Sequence, residues 1–70
     1  MTDGVRLRRT IKDSGITIAH IAFKMGCSRN RVYSILSGSD CVASEIVNLT
    51  EILHMTKDER DAIFFAKKSE

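Results

Sequence analysis

The chain has 70 residues, 43% of them hydrophobic, which suits one small domain with a modest core and excludes a second domain or a deep enclosed active site. Net charge is only +2, yet residues 1–37 carry seven bases against two acids and residues 38–70 four bases against seven acids. That asymmetry points to a basic face for nucleic acid or an acidic protein surface, and the short length favours a binding module over an enzyme.

Glycines at 4, 15, 26 and 38 recur at intervals of about one short helix and read as punctuation. The first helix is predicted from near Asp3 to Ser14, with Val5, Leu7 and Ile11 apolar and Gly15 closing it. The second follows Thr17 as N-cap and runs to Met25, burying Ile21, Ala22 and Met25. Gly26 then permits a tight turn. Ser28 caps a third helix whose Val32, Ile35 and Leu36 have i, i+3, i+4 spacing, until Gly38 ends it. A fourth helix is expected over about Ser44 to Leu53. Thr56-Lys57-Asp58-Glu59 has the capping-box pattern and opens a fifth, roughly 57 to 67. Phe64 and Phe65 are adjacent, hence about 100° apart on a helix, so one closes the core and the other lies at its edge.

Cys27, Cys41, His20 and His54 have no zinc-ligand spacing. The cysteines read as two buried, reduced thiols rather than a disulfide, and the histidines as a surface and a helix-end residue. No nucleophile, base and oxyanion set can be assembled. Neither a catalytic residue nor a metal or cofactor is expected. The longest apolar run is far short of a membrane span and nothing at the N-terminus resembles a signal peptide. The expectation is a cytoplasmic protein with no membrane partner.

The second and third helices with their glycine-containing turn make a helix-turn-helix over 17–37, the arrangement that offers its second helix to the DNA major groove. The stretch "ITIAHIAFKMGCSRNRVYSILSG", residues 16–38, is similar to the Cro/repressor-type (Xre-like) DNA-binding domains of temperate phages. Ile16, Thr17, Ile21, Ala22, Met25, Gly26, Ser28, Val32, Ile35 and Gly38 stand at that family's core, cap and turn positions. The resemblance implies an all-α, compact five-helix repressor-like domain over 1–70. Many family members pair a buried Arg in the first helix with a Glu near the end of the third. The matching Ile11 and Leu36 replace both ions by hydrophobes, an exchange that is often neutral or stabilising.

For function the resemblance implies that Arg29 and Asn30 occupy base-reading positions, since Arg with guanine and Asn with adenine are natural bidentate matches. Ser28 and Ser34 would add weaker contacts, and Arg31 would reach phosphate. Other positions depart from the family. Ile18 stands where a Gln usually bonds phosphate, followed by Ala19 and His20, and the loop "SDCVAS", residues 39–44, has no base. Phosphate contacts supply much of the affinity for DNA. Ile18, Phe23 and Tyr33 are expected to be exposed and apolar beside arginines, which resembles a protein-binding hot spot. Ile18, His20 and Phe23 are therefore assigned to partner binding, and Ser28, Arg29, Asn30, Arg31, Tyr33 and Ser34 to partner or DNA binding.

Two functions follow. The first is a regulator of a phage lysogeny/lysis switch, similar to small modulator-of-repression or antirepressor proteins, which binds the N-terminal domain of a phage repressor and masks its DNA-reading surface. It would act in the cytoplasm of a bacterial host, alone as a monomer or weak homodimer, with residual or assisted binding to double-stranded DNA. The alternative is an autonomous Cro-like operator-binding repressor.

Overall fold

The computed structural model describes residues 2–65, and these form five α-helices and no strand: α1 (Gly4–Ser14), α2 (Ile18–Met25), α3 (Arg29–Leu36), α4 (Ala43–Ile52) and α5 (Lys57–Phe64). The expected all-α, five-helix architecture is present. The fourth helix begins one residue earlier than expected. Ala66 and Lys67, expected in the fifth, lie outside the described residues.

Four helix starts are built locally. Asp3 caps α1 by accepting from the Arg6 N–H, Thr17 caps α2 through the His20 N–H, and Ser28 caps α3 through the Arg31 N–H. Each satisfies one of the amides that a helix start leaves without a partner. At α5 the Glu59 N–H donates to Thr56 Oγ1 at 3.1 Å and the Thr56 N–H donates to Glu59 Oε1 at 2.8 Å, completing the expected capping box. The fourth start differs, because Val42 is the N-cap of α4 and has no side-chain acceptor.

The core joins all five helices through side chains such as Leu7, Ile21, Ile35, Leu49 and Ile63, each fully buried. α1 packs on α3 and α5, α2 on α3 and α4, and α4 on α5. This leaves the outer side of α3 open. Ile11 and Leu36 are both in the core, as their apolar character requires. Phe64, the last residue of α5, is buried, and Phe65, expected in the helix but placed just after it, is exposed; one closes the core and the other lies at its edge, as expected.

Three expectations need correction. Val5 is 76% exposed, because it lies two residues from buried Leu7 and thus about 200° around the helix. Met25 is only half-buried. Cys27 and Cys41 are free but half-buried, since they sit in the segments flanking α3, at the rim of the core.

The N-terminal segment closes the fold. The Asp3 N–H donates to the Ile63 carbonyl at 2.7 Å, and the buried Thr2 donates its hydroxyl to Cys41 Sγ at 3.9 Å. Gly4 is not punctuation: a Cβ there would overlap the Leu36 carbonyl. Its hydrogen lets the start of α1 lie against the end of α3.

Candidate functional site

The open side of α3 is set by the turn before it. Gly26 takes φ 70, a left-handed value that glycine adopts without strain. The Cys27 N–H returns to the Ala22 carbonyl at 3.0 Å, and the chain enters α3 at Ser28. The Ser28 hydroxyl accepts from the Arg31 N–H at 3.1 Å. Its role in the structure is to cap the helix.

Arg29 and Asn30 occupy the first turn of α3, exposed, and their side chains form no hydrogen bond or ion pair with the described residues. Tyr33, 49% exposed, follows one turn later at i+4 from Arg29 and i+3 from Asn30. These three share one exposed strip. Ser34 is not part of it: half-buried, its hydroxyl pairs with that of Ser39 at 2.8 Å, holding the segment that follows α3.

Arg31 is committed to the protein itself. Its Nε donates to Glu45 Oε2 at 2.8 Å and its Nη2 to Glu45 Oε1 at 2.7 Å, a fork-to-carboxylate match, while Nη2 also donates to the Asp40 carbonyl at 3.0 Å. Arg31, expected to reach phosphate, has its fork filled by Glu45 in this structure. Glu45 is held from a second side, because its Oε1 accepts the Val42 N–H at 3.0 Å. The bonds from Arg31, then that from Val42, hold the Glu45 carboxyl below its ordinary pKa, against the opposing effect of burial. Cys41, in the same connection, has its thiol pushed up by burial.

On α2 the expected trio divides. Ile18 is half-buried and packs against the core, because Ile21, Ala22 and Met25 stand at i+3, i+4 and i+7 from it on the inward stripe. The expectation that it is exposed is corrected. His20 is exposed and, with Lys24, Asn48, Glu51 and His54, lines a shallow depression of about 440 Å³ between α2 and α4. Phe23 is 81% exposed, as expected.

Sequence reasoning missed three contributors: Glu45, the Asp40 carbonyl and the exposed Val42. Only Glu45 carried a signal, the acidic residue three positions after a helix start, and nothing local links it to Arg31. A second depression, of about 420 Å³, lies between α4 and α5 and is lined largely by apolar groups including Ile46, Val47 and Phe65. Among the described residues no group of three His, Cys, Asp or Glu side chains is placed to hold a metal ion, and no helix is long and apolar enough to cross a membrane. Comparison with protein-family models, curated proteins and solved structures finds no match to this chain.

Proposed function

We propose that the protein is a helix-turn-helix regulator of a phage lysogeny/lysis switch that acts mainly on another protein, docking its α3 face on the N-terminal domain of a phage repressor and masking that domain's DNA-reading surface. The observation that carries this reading is the capture of Arg31 by Glu45. Of the two arginines on α3, one is neutralised internally, beside a connection that has no base. Phosphate contacts dominate DNA affinity, so such a face is poorly equipped for DNA. It is better equipped for a protein, because aromatic and arginine side chains are the usual anchors of protein interfaces. Tyr33, Arg29 and the exposed Phe23 supply them. The open side chains of Arg29 and Asn30 favour the second reading, direct operator binding, and support residual or assisted contact with DNA.

The test is a titration of the purified protein against labelled operator DNA, with and without the repressor's N-terminal domain. The protein should bind the domain and displace it from DNA. Tyr33→Ala should weaken that complex about tenfold or more without changing the helical melt. Ile18→Gln is less discriminating, because its half-buried side chain also supports the fold. Tight, salt-sensitive operator binding with no affinity for the domain would return the protein to the Cro-like reading.

A further inference from the structure

The Arg31–Glu45 contact does more than join two helices. An arginine fork accepts a carboxylate and a phosphate in the same bidentate geometry, so whatever fills the fork competes with the DNA backbone for the same donors. Glu45 fills it with two bonds of 2.7 and 2.8 Å. Its carboxylate is already oriented by the Val42 N–H at 3.0 Å, at the start of α4, where the helix dipole favours negative charge. The third bond, to the Asp40 carbonyl, fixes the guanidinium to the connecting segment. A phosphate must displace an internal ligand that has little ordering entropy left to lose.

We infer that Glu45 is a specificity-determining residue. By holding Arg31 as an internal substitute for phosphate, it turns the α3 face away from the nucleic-acid backbone and toward a protein surface. The inference rests on the reading of α3 as the interaction face and does not depend on which protein the partner is. It makes Arg29 the one cation of α3 available to a polyanion and Arg31 a cation kept in reserve.

The test measures anisotropy of a labelled mixed-sequence duplex titrated with the full chain: wild type, Glu45→Gln, and the double variant Arg31→Ala with Glu45→Gln. The amide retains an acceptor for the Val42 N–H and removes the charge that holds Arg31. Glu45→Gln should bind the duplex about five- to tenfold more tightly near 0.1 M salt, with a log–log salt slope steeper by about 0.9, the signature of one added phosphate contact. The double variant should return to wild-type affinity and slope. No gain in a Glu45→Gln protein that melts as wild type, a gain that persists in the double variant, or a double variant weaker than wild type would each overturn the inference. A measurement on the wild type decides the matter if the variant does not fold. The Arg31 Nε–H resonance should keep its position as duplex is added, and a shift on binding would show that DNA reaches the guanidinium despite Glu45. Failure of these arms leaves repressor binding by the wild type untouched. Failure of repressor binding leaves the duplex arms readable.

Discussion

The two connections that flank α3 are built on different physical plans. The one before it is short and self-sufficient: Gly26 supplies the left-handed residue, the Cys27 N–H closes on Ala22, and Ser28 caps the helix. Every partner lies within five residues. The one after it depends on distant groups, because Arg31 holds the Asp40 carbonyl and Glu45, and Thr2 reaches Cys41. α4 then starts on a valine without a side-chain cap. The difference teaches that the presentation of α3 is fixed on its N-terminal side by local chemistry. On its C-terminal side it is fixed by a few long-range bonds, which single substitutions can open.

The largest way to break this comparison is at Leu36, the last residue of α3, buried in the core. Leu36→Glu would place a charge there with no basic partner at Ile11 and should cost about 3–5 kcal/mol, comparable with the whole stability of a small domain. A thermal melt by circular dichroism should show loss of cooperative folding. Gly4→Ala comes next. The added methyl meets the Leu36 backbone rather than a side chain that can move, so about 1–3 kcal/mol should be lost, read from the urea midpoint.

Smaller changes sharpen the contrast. Ser28→Ala removes the cap of α3 and should cost about 1 kcal/mol, while Val42→Ser, which supplies the missing cap of α4, should gain about 0.5–1 kcal/mol. Both are read from the melting temperature, and the opposite signs test whether the two connections are as unequal as their bonds indicate. The smallest effect is that of acid on Glu45. Its folded pKa lies below the unfolded value, so its contribution is complete above the ordinary glutamate range and is lost as pH falls through the folded value. Relative to the intrinsic exchange rate at each pH, the Val42 N–H, which donates to Glu45, should therefore lose protection in acid before the Cys27 N–H, which donates to Ala22. Simultaneous loss would mean that the two connections open together.

The five helices, the Thr17, Ser28 and Thr56 caps, the division between Phe64 and Phe65, and the burial of Ile11 and Leu36 were legible in the amino-acid sequence. Each depends on spacings of three or four residues or on a side chain that bonds the backbone next to it, and such interactions are specified locally. Phe23 and Tyr33 were expected to be exposed by resemblance alone, and they are. The rest was decided by tertiary packing. Ile18 reads as exposed only when it is placed by resemblance, whereas the apolar stripe of α2 turns it inward. Gly4 reads as punctuation until the α3 carbonyl arrives against it. Arg31 reads as a hand for phosphate until Glu45, fourteen residues away, closes on it. A local pattern carries no record of which distant backbone or carboxylate the fold brings within 3 Å, because that proximity is created by burying the core.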